Sequence, residues 1–113
     1  MVKISVVMSV YNGEVYLKKA IDSILSQTFS KFEFIIVNDG SSDKSRDIIE
    51  SYKDNRIKLY NKSNRGLPSS LNFGISKANS NLIARMDADD IAYSTRLEKQ
   101  FNYLKENEDC VLL

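Results

Sequence analysis

Short apolar runs alternate with helical stripes along this chain of 113 residues, and the alternation limits the folds that it can adopt. Residues 4–10, 32–37, 57–60 and 81–86 are apolar without helical spacing, which predicts four strands. Strands that alternate with helices form a mostly parallel sheet with right-handed crossovers and helices on both faces. The predicted fold class is therefore α/β, in a chain with room for one core.

Each predicted strand is followed by apolar residues at the three- and four-residue steps of a helix face. The apolar stripes of the four predicted helices are Leu17, Ala20, Ile21, Ile24 and Leu25; Ile48, Ile49 and Tyr52; Leu67, Leu71, Ile75 and Ala78; and Leu97, Phe101 and Leu104. Asn12 or Gly13 is predicted to cap the first helix. A last apolar run, 110–113, predicts the start of a fifth strand and therefore a truncated domain.

Charge and composition exclude several classes of function. Sixteen Lys and Arg against fifteen Asp and Glu give a net charge of +1, so no overall field would hold nucleic acid. Histidine is absent, which leaves carboxylates to carry any acid–base chemistry. The one cysteine, Cys110, cannot form an internal disulfide, and no apolar run reaches the roughly 18 residues of a membrane span.

Three carboxylates, Asp87, Asp89 and Asp90, follow the fourth predicted strand. Their mutual repulsion is costly unless a cation or solvent relieves it, and oxygen-only ligands suit Mg²⁺ or Mn²⁺. A solvated acidic loop that caps the next helix explains these residues equally well. An EF-hand calcium loop is disfavoured, because Ile91 and Ala92 stand where it needs a ligand and a turn glycine.

Polar residues also end the other predicted strands, and the carboxyl ends of parallel strands meet at one rim, where such sheets bind ligands. Asp39, before the turn residue Gly40, is placed to accept a hydrogen bond from a ring N–H or a sugar hydroxyl; a plain turn is the alternative. Tyr11 could stack on a base or simply pack. Arg65 could present its cation to a phosphate. No glycine-rich phosphate loop is present.

In this order, these residues resemble family 2 of the glycosyltransferases, which has the Rossmann-like GT-A fold. The resemblance runs from Ile4 to Leu113 through SVVMSVYN (5–12), IVNDGSSD (36–43), NRG (64–66), RMDADD (85–90) and RLEKQ (96–100). Ser9 and Ser94 depart from it, since many members carry proline there. The resemblance implies that residues 1–113 are the N-terminal, nucleotide-sugar-binding portion, with the acceptor site and the catalytic base beyond Leu113.

The resemblance implies a metal-dependent, inverting transfer of a sugar from a nucleotide diphosphate, most commonly UDP, to a glycan or lipid-linked acceptor. It also implies a role in surface or capsular polysaccharide synthesis, in the cytoplasm or at the inner membrane face. The implied nucleotide-binding residues are Val10, Tyr11, Asp39, Arg65 and Asp87, and the implied ligand of Mn²⁺ or Mg²⁺ is Asp89. Tyr11 would pack on the base, Asp39 would bond its ring N–H, and Asp87 would approach the ribose.

Two other functions stay open at this level. A non-catalytic nucleotide- or metal-binding module would use the same residues without transfer, and the isolated chain is expected to lack transfer activity. A phosphatase of the aspartyl-phosphate type also places two aspartates after a strand, but Ile91 departs from its motif and Asp39 would have no part in it. An uncovered sheet edge is also expected to favour association of copies.

Overall fold

The computed structural model describes residues 2–106, in which a strand is followed by a helix four times over. The strands are β1 (Ile4–Val10), β2 (Phe32–Asp39), β3 (Ile57–Lys62) and β4 (Ile83–Asp87), and the helices are α1 (Leu17–Leu25), α2 (Ser45–Glu50), α3 (Leu67–Ser76) and α4 (Arg96–Glu106). The four predicted strands and helices are confirmed, whereas the strand predicted at 110–113 lies outside the described residues. The longest described helix has 11 residues, and within 2–106 none is suited to cross a bilayer.

All four strands are parallel and form one sheet in the order β3-β2-β1-β4. β1 lies in the interior of this sheet, where Ser9 is opposite Val37 of β2 on one side and Asp87 of β4 on the other. The chain moves outward from β1 to β3 and then returns to the other side of β1, so the strand order reverses between β1 and β4. Loops diverge at such a point and leave a crevice at the carboxyl ends of the strands.

The larger core lies on one face of the sheet, under α1, α2 and α4. Met8 of β1 shares this core with Ile21 of α1, Ile49 of α2 and Leu97 of α4. β1 is buried almost throughout, as expected for a strand covered on both faces. The amphipathic helix predicted after β1 is confirmed by the burial of its apolar stripe.

The smaller core lies on the other face, where α3 is the described helix that packs on the sheet. Its buried residues are Ser70 and Gly74, whereas Leu67 and Ile75 of its apolar stripe are 44% and 43% exposed. A methyl group at Gly74 would lie 2.6 Å from Cγ1 of Val7. The helix therefore approaches β1 through its small residues, and of its predicted apolar stripe only Leu71 and Ala78 pack against the smaller core.

Candidate functional site

The crevice between the carboxyl ends of β1 and β4 is a cleft of about 390 Å³. Tyr11, which follows β1, and Asp89, which follows β4, both line it. Tyr11 is 56% exposed, so its ring is available to stack on a ligand. Val10 is buried in the larger core, so of the two implied nucleotide-binding residues at the end of β1 only Tyr11 opens to the cleft.

Two further side chains of the cleft, Val15 and Tyr16, are exposed and were missed by the sequence analysis. The predicted apolar stripe of α1 begins at Leu17 and the predicted cap is Asn12 or Gly13, so the sequence pattern gives no role to the two residues between them. The cap prediction was wrong: α1 begins after Tyr16, and neither Asn12 nor Gly13 occupies its N-cap position. The sequence signal for this wall of the cleft is a tyrosine directly before the apolar stripe of α1.

Asn12 connects the loop after β1 with the loop after β2. Its φ of 50° lies in the left-handed region, which asparagine adopts more readily than most residues. Its backbone N–H donates to Oγ of Ser41 at 2.9 Å, and its side-chain oxygen accepts from the N–H groups of Ser42 at 2.8 Å and Asp43 at 3.3 Å. Asn12 thus caps the neighbouring loop and fixes the position of Tyr11 relative to the end of β2.

Asp39 ends β2, and its side chain is only 3% exposed. Its Oδ1 accepts from Nζ of Lys62 and from the N–H of Arg65, both at 2.9 Å, and its Oδ2 accepts from the N–H of Gly66 at 3.0 Å. Burial by itself would raise the pKa of Asp39, but these hydrogen bonds together hold it below the usual carboxyl value. Asp39 is therefore an ionised carboxylate that fastens the loop before α3 to the end of β2.

The tight turn predicted at Gly40 is present, with a φ of +72°. A methyl group on Gly40 would lie 2.6 Å from the backbone nitrogen of Asn64, so glycine also permits the contact with the loop before α3. Arg65 is held in this loop through its backbone N–H. Its side chain is exposed and has no ion-pair partner within residues 2–106, so its guanidinium is available to an anion.

Asp87, Asp89 and Asp90 are exposed, and one carboxylate oxygen from each lies within 4.8 Å of the others. The N–H of Asp90 donates to the carbonyl of Asp87 at 3.1 Å, and the N–H of Asp87 donates to Oδ2 of Asp90 at 3.3 Å. Asp90 thus closes the turn. The carboxylate of Asp89 bonds to none of the described residues. Because an octahedral Mg²⁺ holds neighbouring oxygens roughly 3 Å apart, this donor set fits a hard divalent ion after small side-chain rotations.

Two arginines lie next to the acidic turn. Nη2 of Arg85 is 3.5 Å from Oδ1 of Asp87, in an exposed pair. Nη2 of Arg96, the first residue of α4, donates to the carbonyl of Arg85 at 2.8 Å. Burial lowers the pKa of Arg96, and the negative charge of Asp90 opposes that shift. Asp87 and Asp90 therefore each have a cationic neighbour, whereas Asp89 has no ion-pair partner within residues 2–106.

The model of the Glycosyl transferase family 2 matches residues 5–113. An uncharacterized glycosyltransferase of Methanocaldococcus jannaschii is 47% identical over 115 residues, which cover 97% of this chain and 40% of that relative. Another uncharacterized glycosyltransferase, from Haemophilus influenzae, is 41% identical over 107 residues, which cover 92% of this chain and 43% of the relative. The chain spans less than half the length of either relative.

Among solved structures, S. aureus TarS 1-349 is similar, with a TM-score of 0.87 and 27% sequence identity over 94% of this chain and 33% of that one. TarS 1-349 is also known in complex with UDP and with UDP-GlcNAc. The similarity confirms the predicted Rossmann-like, GT-A sheet.

Proposed function

Because the chain belongs to glycosyl transferase family 2, we propose that it binds the nucleotide-diphosphate sugar from which an inverting transfer begins. The cleft between β1 and β4 carries this proposal, since Tyr11 and Asp89 line it together. A bound nucleotide needs an aromatic surface for its base and positive charge for its diphosphate. Tyr11 supplies the first, and a cation held by Asp89 supplies the second.

UDP is the nucleotide that the similarities favour. TarS, 28% identical to this chain, is known in complex with UDP and UDP-GlcNAc. We propose that the base lies on Tyr11, with Val10 supporting that ring from the core. We further propose that Asp39 accepts a hydrogen bond from the ring N–H of the base. Its carboxylate accepts this bond in addition to those from the three donors already present. Arg65, whose guanidinium has no ion-pair partner among the described residues, binds a phosphate.

We assign Mn²⁺ or Mg²⁺ to Asp89, with Asp87 beside it at the ribose. When bound, such an ion neutralises the negative charge that develops on the diphosphate leaving group. Asp89 suits this role because its carboxylate has no hydrogen bond to the described residues that an ion would have to replace. Asp90 suits it less, because Oδ2 of Asp90 already accepts from the backbone of the turn.

For the whole enzyme, we propose transfer of the sugar to a hydroxyl of a glycan or lipid-linked acceptor in the synthesis of a surface polysaccharide. Attack by that hydroxyl requires a general base, for which we propose a carboxylate. We assign this base to none of residues 2–106, so the proposed role of this chain is to bind the donor and the metal. A cytoplasmic location, at the inner membrane face or away from it, and association of copies stay predictions.

The test is thermal unfolding of the chain with UDP, GDP and TDP, each with and without Mn²⁺. A ligand at a hundred times its dissociation constant adds about 2.7 kcal/mol to the stability of the folded state. We expect UDP to raise the unfolding temperature in a Mn²⁺-dependent way, and we expect Asp89→Ala to abolish that rise. Asp47→Ala, which removes an exposed aspartate from α2, is the matched control and should keep it.

Each other outcome would remove a defined part of the proposal. No rise with any of the three nucleotides would contradict donor binding by this chain. A rise that is the same without Mn²⁺ would keep the nucleotide and remove the metal from Asp89. A rise with GDP or TDP alone would keep the site and change the base.

A further inference from the structure

Arg85 does not line the cleft, but it pairs with Asp87 of the acidic turn beside it, and the donor site as proposed gives it no role. Side chains alternate along a strand, so Ile83, Arg85 and Asp87 point to one face of β4. Ile83 belongs to the smaller core under α3, and Arg85 lines a groove together with Leu71 of α3. The guanidinium of Arg85 therefore lies on the α3 side of the sheet, next to the acidic turn.

The fold does not account for this arginine. Its side chain is 50% exposed, and its one polar side-chain contact within the described residues is the pair with Asp87 at 3.5 Å. An exposed pair of this length adds little to stability. A guanidinium offers five N–H donors in a planar fork that matches a phosphate, and in Arg85 at most one of them has a partner.

The backbone of Arg85 is fixed while its side chain is not. Arg85 is paired with Val7 in the middle of the β1–β4 ladder. Its carbonyl also accepts the 2.8 Å hydrogen bond from Arg96. The Cα atom therefore stays at a constant distance from the acidic turn, and the long side chain can rotate between Asp87 and a ligand at the carboxyl end of β4.

We propose that Arg85 is a phosphate ligand of the donor site and that Asp87 holds it while no donor is bound. This inference rests on the proposed function. Once Asp89 holds a divalent ion and Asp87 turns to the ribose, Arg85 loses its partner and its guanidinium binds the diphosphate. The charge of Arg85 then has two effects of opposite sign, because it repels a divalent cation that binds alone and attracts the anionic donor.

The test compares the whole chain with Arg85→Gln, Arg85→Lys and Lys53→Gln. Lys53→Gln removes one exposed positive charge from the loop before β3, at the opposite end of the sheet, and is the matched control. Mn²⁺ binding is measured from the electron paramagnetic resonance signal of the free ion, without nucleotide. Binding of UDP, GDP and TDP, and of the matching nucleosides uridine, guanosine and thymidine, is then measured calorimetrically at saturating Mn²⁺.

We expect Arg85→Gln to bind Mn²⁺ alone about threefold more tightly and to bind the preferred nucleoside diphosphate about tenfold more weakly. Its affinity for the matching nucleoside, which has no phosphate, should be unchanged. Arg85→Lys keeps the charge and loses the planar fork, so its Mn²⁺ affinity should equal that of the wild type and its diphosphate affinity should be intermediate. Lys53→Gln should change none of the three affinities.

Four results would overturn the inference. Equal diphosphate affinity in the wild type and Arg85→Gln would remove Arg85 from the phosphate site. An equal loss for nucleoside and diphosphate would make it a support of the cleft, and so would weaker Mn²⁺ binding in Arg85→Gln. If the wild type binds neither Mn²⁺ nor any of the three diphosphates, the proposed function fails and this inference fails with it. If the wild type binds its donor and only the Arg85 variants depart from expectation, the inference fails and the proposed donor site is not contradicted.

Discussion

The carboxylates of β2 and those that follow β4 occupy opposite environments. Glu33, near the amino end of β2, is 1% exposed and accepts hydrogen bonds from the hydroxyl of Ser5 at 2.5 Å and from the N–H of Asn79 at 2.6 Å. Asp39, at the other end of the same strand, is 2% exposed and also has both oxygens bonded. Asp89 is exposed and has no hydrogen bond to a described residue.

This difference separates charges that hold the fold from charges that the fold leaves to a ligand. Glu33 ties the chain before β4 to the amino end of the sheet, and Asp39 ties the loop before α3 to the carboxyl end. The acidic turn after β4 instead keeps three like charges within 4.8 Å of one another. Like charges this close repel one another unless a cation relieves the repulsion. The comparison predicts that removing a carboxylate lowers the stability most on β2 and least in the acidic turn.

Glu33→Ala should cause the largest loss. It leaves the buried hydroxyl of Ser5 and the N–H of Asn79 without their acceptor. We expect the free energy of unfolding to fall by about 3 kcal/mol, measured by urea denaturation. Glu50→Ala, which removes an exposed glutamate that pairs with Arg46, is the control and should change it by less than about 1 kcal/mol. Equal losses in the two variants would break the comparison.

Asp39→Asn should cost less stability and also affect the site. The NH₂ group of asparagine replaces one of the two carboxylate oxygens. It then faces either the ammonium group of Lys62 or the N–H of Gly66, and both of these are also donors. We expect the free energy of unfolding to fall by about 2 kcal/mol and nucleotide affinity to fall with it. Urea denaturation and nucleotide titration of the same preparation measure the two effects. A variant with wild-type stability would show that Asp39 does not fasten the loop.

The sequence predicts that Asp39 and Asp89 lie at one rim, because both follow predicted strands and the carboxyl ends of parallel strands meet there. It does not predict that Asp39 is buried. Its cationic partner, Lys62, is 23 residues away and stands opposite it in the β2–β3 register. Periodicity locates strands without giving their register, so this ion pair is visible only in the folded chain.

The packing of α3 shows a second limit of periodicity. Apolar spacing predicts the helix and its place in the chain, both of which are confirmed. It also favours Leu67 and Ile75 as contact residues, whereas Ser70 and Gly74 are the buried ones. Gly74 can approach Val7 this closely because glycine has no side chain. A scale that ranks residues by hydrophobicity gives glycine no weight, and therefore misses this face.

Lowering the pH should reduce stability through the β2 carboxylates. Burial would raise the pKa of Glu33, but hydrogen bonds from Ser5 and Asn79 hold it below the usual value, and the pKa of Asp39 is lowered in the same way. A lowered folded-state pKa gives stability that is complete above the ordinary carboxyl pKa, about 4, and is lost as the pH falls through the lower folded value.

Urea denaturation at a series of pH values measures this dependence. Asp39→Asn lacks one of the two β2 carboxylates that have a lowered pKa. Its stability should therefore fall less steeply below about pH 4 than that of the wild type. Parallel pH profiles for the two proteins would show that Asp39 contributes no pH-dependent stability.

Asp89→Ala should have the smallest effect on stability, because the removed carboxylate bonds to none of the described residues. It also takes one of three like charges out of a cluster in which all lie within 4.8 Å, and the relief of repulsion opposes any loss. We expect the free energy of unfolding, measured in urea without metal, to change by less than about 0.5 kcal/mol in either direction. A fall of more than about 1 kcal/mol would place Asp89 with Glu33 among the charges that hold the fold. Such a fall would also make a loss of nucleotide binding in this variant uninformative about the metal, so the stability measurement has to precede the binding experiment.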